Sequence, residues 1–303
     1  MTQHAHAQHA HGSHASHASH AHPGHSGHAH VAAVDHAEIL DLDAEVFAEH
    51  LDEITAGLPL AAPPRRILDL GSGTGAGTLA LLDRFPDVRV TAVDASSPHL
   101  GRLRVKARAA GVDDRVHTVE ADLDAPWPEL AVDGGAPELV WASASLHHLA
   151  DPRAALRRVR ELLAPGGLFV VVELAGFPRF LPPHAPADRP GLEDRAHAAS
   201  ERAAGGHLPH RGADWGPLLV EAGFAVEEER GITVHVDPER SAAVRPYAVN
   251  SLTRLRASAA EALDPADLAA LDRLLDPNSP DSLGLHPELA VRTERTVWTA
   301  RRP

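Results

Sequence analysis

From residue 34 onward the apolar positions recur at two different spacings. Between Val34 and Gly57, the residues Ile39, Leu42, Val46, Phe47, Leu51 and Ile54 lie at helical intervals with acids between them. That predicts an amphipathic helix, ended by Gly57 and Pro59. Short apolar runs then alternate with helical stretches. Strands are expected over 66–70, 88–93, 115–120, 138–142 and 168–172, and helices over 78–85, 98–110 and 152–163. Glycine-bearing turns separate them, including Gly111 and Ala164-Pro165-Gly166-Gly167. Continuous apolar strands between helices imply an α/β fold, a parallel sheet covered on both faces.

The remainder is less regular. Residues 174–213 are rich in Pro, Gly and His, with a helix expected over 192–204. A further helix is expected over 214–222, ended by Gly223, then a strand over 224–236 with a bend or bulge at Gly231. Two helices fall within 238–276, and 291–300 alternates enough to be a last strand. The segments 174–213 and 238–289 are long for simple connections and are expected to face the substrate.

A chain of 303 residues with 44% hydrophobic content holds one large domain or two modest ones, with a sizeable core. The net charge of −14, with Lys106 the one lysine, argues against nucleic acid as a partner. The absence of cysteine excludes disulfides, thiolate metal sites and cysteine nucleophiles. No apolar run reaches the roughly 18 residues of a membrane-spanning helix, and the N-terminus has no secretory pattern. A soluble, cytoplasmic protein without a membrane partner is expected.

Residues 1–30 stand apart. They contain no Asp, Glu, Lys or Arg and consist largely of His, Ala, Ser and Gly. Such a segment has too little apolar surface to offset its ordering entropy and is expected to be disordered. Its imidazoles, among them His4, His6, His9, His11, His28 and His30, are candidate ligands for a divalent metal. A polar extension with no part in the chemistry is the plainer reading. No metal constellation is found in the rest of the chain.

Asp69-Leu70-Gly71-Ser72-Gly73-Thr74-Gly75 joins the first strand to a helix. Glycines permit tight turns and close backbone approach, and a helix N-terminus offers unpaired N–H groups. Gly71, Gly73 and Ala76 also satisfy a loose dinucleotide pattern. Asp69 weighs against that pattern, because a carboxylate so near the loop would repel a pyrophosphate. It suits a ligand carrying an ammonium and a sulfonium. Asp94 ends the second strand, where an acid accepts from ribose hydroxyls. Asp122-Leu123 follows the third strand, where an acid could accept from an adenine amino group.

These acids and their spacing resemble the class I S-adenosylmethionine-dependent methyltransferases, from about Ile67 to Glu173. Val140-Trp141-Ala142-Ser143-Ala144-Ser145-Leu146-His147-His148-Leu149 and Leu162-Leu163-Ala164-Pro165-Gly166-Gly167 extend the likeness, notably to ubiquinone/menaquinone-type and other small-molecule enzymes. The resemblance implies a Rossmann-like, seven-stranded sheet whose last strand is antiparallel, within a core of about 60–173. It implies S-adenosyl-L-methionine as cofactor. Gly71, Ser72, Gly73 and Gly75 would hold its methionine portion, with Asp69 near the ammonium. Asp94, Ala95 and Ser96 would lie at the ribose, Asp122 and Leu123 at the adenine, and Ser143 and His148 near the methyl group.

Methyl transfer is an in-line displacement in which alignment and exclusion of water carry most of the rate. A base is needed where the acceptor must lose a proton, and His147 and His148 are the candidates. Either could instead shape the pocket. Glu173 is a strand-end acid or a substrate contact. His184, His197, His207 and His210 are expected at the surface, and Tyr247 in the core or, with Asn250, in a cap over the cleft. The signatures of amino-group DNA methyltransferases and of ribose methyltransferases are missing, which together with the charge points to a small-molecule acceptor. Two rival readings share parts of the pattern: a nicotinamide-dependent oxidoreductase, and a noncatalytic protein that binds S-adenosylmethionine or handles metal.

Overall fold

The computed structural model describes residues 36–130, 134–203 and 210–303, within a compact unit that runs from Val34 to Pro303. The histidine-rich segment, including His4, His6, His9, His11, His28 and His30, lies outside the described residues, as does His207. Seven strands form one sheet: β1 (Arg66–Leu70), β2 (Arg89–Asp94), β3 (Val116–Glu120), β4 (Leu139–Ser143), β5 (Leu168–Leu174), β6 (Ala225–Val236) and β7 (Val291–Arg301). Their order is β3-β2-β1-β4-β5-β7-β6. β1 to β5 pair in parallel, and β7 runs antiparallel to both β5 and β6. This is the Rossmann-like arrangement expected from the sequence, with the last strand antiparallel.

Alternation along each central strand divides the interior in two. Ile67, Val90, Trp141, Val170 and Val172 contribute to the core on one face of the sheet. Leu68, Leu70, Val140, Ala142, Phe169 and Val171 contribute to the core on the other. Successive strand side chains point to opposite faces, so a strand buried on both must be apolar at almost every position.

Eight α-helices accompany the sheet among the described residues: α1 (His36–Ala56), α2 (Ala76–Arg84), α3 (Ser97–Ala109), α4 (Pro152–Leu162), α5 (Leu192–Ala203), α6 (Gly216–Glu221), α7 (Val244–Ala259) and α8 (Pro265–Leu275). The helix starts follow from local chemistry. Asp151 accepts from Ala154 N at 3.0 Å ahead of Pro152, and Asp264 accepts from Ala266 N at 2.9 Å ahead of Pro265. No described helix is long and apolar enough to cross a membrane.

One expectation about the strands differs from the structure. The irregularity in β6 falls between Val226 and Glu228, not at Gly231, which stays in register opposite Thr296. The residue displaced from the ladder, Glu227, ion-pairs with Arg301 of β7. The segments 174–213 and 238–289, expected to face the substrate, carry α5, α7 and α8, which pack on one another, and α7 packs on α1. Leu192, Ala196, Tyr247, Leu252 and Leu271 join the core on that face.

Asp151→Ala removes the cap of α4 and exposes unpaired N–H groups. A loss of about 1 kcal/mol in unfolding free energy is expected in urea titration, with the m-value unchanged.

Candidate active site

The order of strands reverses beside β1, whose neighbours are β2 and β4. Loops leaving the carboxyl ends of β1 and β4 diverge there and open a crevice. A cleft of about 320 Å³ occupies that place. Its floor is the glycine loop. Gly71 has φ +67°, and a Cβ there would lie 2.4 Å from Ser145 Cβ, so no other residue fits without a shift. Ser72 N donates to Val93 O at 2.9 Å and Gly73 N to Asp94 Oδ2 at 2.8 Å, which ties the loop to the end of β2.

Asp69, Gly71, Ser72, Gly73, Asp94, Ala95, Asp122, Leu123, Ser143 and His148 all line this one cleft. Gly75 and Ser96 do not. Gly75, at φ +93°, turns the chain into α2 with Leu103 packed where a Cβ would be. Ser96 is the N-cap of α3, accepting from His99 N at 3.4 Å.

The electrostatics centre on Asp69. Its carboxyl is buried and accepts from Thr78 Oγ1 at 2.5 Å. Burial, with the charge of Asp94 adding to it, pushes its pKa up to about 7. Asp94 is already engaged, since Oδ1 accepts from Ser96 N at 2.8 Å while Oδ2 holds Gly73 N. His99 Nδ1 lies 3.3 Å from Oδ1. Among the described residues, no Lys or Arg makes an ion pair with Asp69 or Asp94. Two neighbouring carboxylates on a backbone cradle, without a cation, fit the positively charged methionine end of S-adenosylmethionine and disfavour a pyrophosphate. Asp122 closes a turn by accepting from Asp124 N at 2.9 Å. That turn is held by Trp127 Nε1 donating to Leu123 O at 2.9 Å and by Ala150 N donating to Asp124 at 2.8 Å.

The two candidate histidines separate. His147 is buried away from the cleft, 2.6 Å from Glu173 Oε2 through Nδ1. The same carboxylate accepts from Ser145 N at 3.0 Å and Leu146 N at 2.7 Å. Glu173 is therefore an internal clamp on the loop after β4, not a lining residue. The clamp holds Ala144 at φ +49°, a conformation costly for a non-glycine residue. His148 reaches the cleft. It keeps an exposed edge, yet desolvation of its ring, followed by the proximity of His147, holds its pKa down to about 4.

Sequence reasoning missed one whole wall. α1 contributes Leu40, Asp43 and Phe47, and β7 contributes Arg295. Arg295 Nη2 lies 2.7 Å from both oxygens of Asp43, and its guanidinium carbon is 3.8 Å from the Phe47 ring centre. Asp43 also accepts from the Tyr247 hydroxyl at 2.8 Å, which places Tyr247 behind the cleft wall. These partners are separated by up to 252 positions, so no local pattern announces them. Trp141, within the β4 motif, also lines the cleft, its Nε1 buried without a hydrogen-bond partner. Asn250 does not line it. His197, expected at the surface, is buried against Phe177 with ring centres 4.6 Å apart, because α5 packs inward. His184 is exposed and pairs with Glu288, and His210 lies against Trp215.

Sheet order, glycine loop and strand-end carboxylates together define a Rossmann-like domain built to hold S-adenosylmethionine. Known proteins agree. Residues 68–169 match the methyltransferase domain family. A 27-O-demethylrifamycin SV methyltransferase of Amycolatopsis mediterranei is 30% identical over 197 residues, 65% of this chain and 66% of that protein. A demethylmenaquinone methyltransferase of Thermus thermophilus is 38% identical over 123 residues, 40% of this chain and 53% of that protein. The matched stretch thus spans less than two thirds of either relative. A solved structure of a candidate methyltransferase from Bacillus halodurans shares the fold, with a TM-score of 0.51 and 18% identity over 84% of this chain and 98% of that one. The matched part of the chain resembles the class I S-adenosylmethionine-dependent methyltransferases.

Asp94→Asn keeps the shape and removes the charge. It is expected to weaken S-adenosylhomocysteine binding by roughly 10–100-fold in calorimetric titration, the range for a charged hydrogen bond. Gly71→Ala collides with Ser145, and loss of cofactor binding together with a lowered melting temperature is expected.

Proposed function

We propose that this chain transfers a methyl group from S-adenosylmethionine to an O, N or C atom of a small metabolite. The observation that carries the proposal is the pair Asp69 and Asp94, side by side in one cleft with no Lys or Arg paired to either among the described residues. When bound, S-adenosylmethionine supplies a methyl group activated by its sulfonium centre. Asp69 would face its ammonium, Asp94 its ribose and Asp122 its adenine, and Ser143 and His148 would border the acceptor.

His148 is neutral across the physiological range. A weakly basic imidazole accepts a hydrogen bond from an acceptor hydroxyl and orients its lone pair. It can also take the proton of an oxygen that methylation has made strongly acidic, whereas a methylated amine is too weak an acid for it. A methylated amine needs no base, so proton removal by His148 is expected with an oxygen acceptor. His147 and Glu173 act behind it as positioning residues, through the loop they hold.

The same proposal keeps the chain cytoplasmic and gives His4, His6, His9, His11, His28 and His30 a divalent metal. Supporting the metal is the close spacing of imidazoles in residues 1–30. Titration with nickel, with and without residues 1–30, tests it.

Two outcomes are expected at the cleft. Asp69 has a raised pKa, so at pH 6 it is mostly protonated, and a cationic ligand drives it to the carboxylate. Binding should release a proton below pH 7, and affinity should fall as pH drops from 7 toward 5. Calorimetry in buffers of different ionisation enthalpy reads this release, which Asp69→Asn should abolish. His148→Ala should lower the rate of S-adenosylhomocysteine release about 10–100-fold on an oxygen acceptor, at the lower end of general-base effects. Cofactor affinity should change by less than threefold.

A further inference from the structure

The turn over 210–213 lies against the carboxyl end of β5. Gly212 N donates to Leu174 O at 3.1 Å, and a Cβ on Gly212 would be 2.9 Å from Ala175 O. The backbone there approaches the strand too closely for a side chain. This fixes Arg211 beside the end of β5, where Glu173 clamps the loop that carries His148.

The surroundings of Arg211 are unusual for a cation. Its guanidinium carbon sits 3.4 Å from the centre of the Phe177 ring, and its Nε is buried without a hydrogen-bond partner. No carboxylate among the described residues makes an ion pair with it. The neighbouring Arg179 pairs with Asp194 and the cleft residue Arg295 pairs with Asp43. Glu173, the nearby acid, is already engaged by Ser145 N, Leu146 N, His147 N and the His147 ring. Phe177 also stacks on His197, whose two ring nitrogens are likewise buried and unpartnered. Burial lowers the pKa of Arg211, with Glu201 and Glu173 opposing at a distance. Gly212 N holds Leu174 O, the residue after Glu173, and Glu173 holds the ring of His147, the neighbour of His148, so Arg211 and His148 flank one clamp.

A partly desolvated cation without a counterion is costly unless a ligand supplies one. A planar guanidinium matches a carboxylate through two parallel hydrogen bonds. The chain carries a net charge of −14, so an anionic acceptor is repelled at long range and needs a local cation to be held.

We propose that Arg211 selects an acceptor that bears a carboxylate, pairing with that group while the acceptor's reacting oxygen lies beside His148. This inference rests on the methyl-transfer reading and narrows its substrate class.

The test uses the full chain with S-adenosylhomocysteine. The Arg211 Nε–H resonance is assigned by its loss in Arg211→Gln and is followed while malonate, malonamide or inorganic phosphate is added. A saturable shift with malonate, none with malonamide and a weaker one with phosphate is expected. An equal response to malonamide, no response to malonate, or a response to phosphate alone would overturn the proposal. In parallel, release of S-adenosylhomocysteine is measured on hydroxybenzoates and the matching hydroxybenzamides. The acids should be preferred at least tenfold in kcat/KM. Arg211→Gln should remove that preference with cofactor affinity unchanged, and Arg211→Lys should restore part of it. Preference for the amides, or an Arg211→Gln variant that still prefers acids, would refute it. Failure of the cofactor to bind would sink the methyl-transfer reading instead, and the malonate response of the cofactor-free chain still reports on Arg211.

Discussion

The architecture depends on the position of β1 at the reversal of strand order. With β2 on one side and β4 on the other, the chain leaves β1 over a gap that neither neighbouring loop fills. Both faces of the sheet are buried, so polar groups can appear on these strands chiefly at their ends. Asp69, Asp94 and Glu173 all stand at or next to such ends. Asp69 is the extreme case: it points to the face occupied by α1 and α2, and Thr78 is its side-chain hydrogen-bond partner.

Carboxylates also do much of the shaping around the cleft. Asp94 ties the glycine loop to β2, Glu173 draws three backbone N–H groups of the loop after β4 together, and Asp124 anchors Ala150. A carboxylate has several acceptor positions, so one buried acid organises a whole loop. The arrangement leaves cleft acids and their loops interdependent. Asp94 thus belongs both to the hold on the loop and to the cleft lining. The pair Asp43 and Arg295 does the same for the opposite wall, tethering α1 to β7.

Much of this was legible in the chain. Parallel strands declare themselves as unbroken apolar runs, and their helices by 3.6-residue spacing and by caps such as Asp151-Pro152. The glycine loop and the acids at successive strand ends were legible because one short segment and regular intervals carry them. Less visible was the division of labour in His147-His148. Adjacent residues in a tight turn face different ways, and Glu173 on another strand decides which one is drawn inward. His197 was misplaced for a similar reason, because polar identity suggests a surface and α5 packs inward.

The sequence by itself determined the class of fold, the edge of the sheet at which the cleft opens and the residues of its floor, since these depend on local propensity and alternation. The tertiary structure alone decided the far wall of the cleft, the clamp beneath His148 and the isolation of Arg211. Each of these joins residues far apart in the chain. Whether a charge is paired, buried or left without a partner is a property of the packed interior, and no local pattern of residues encodes it.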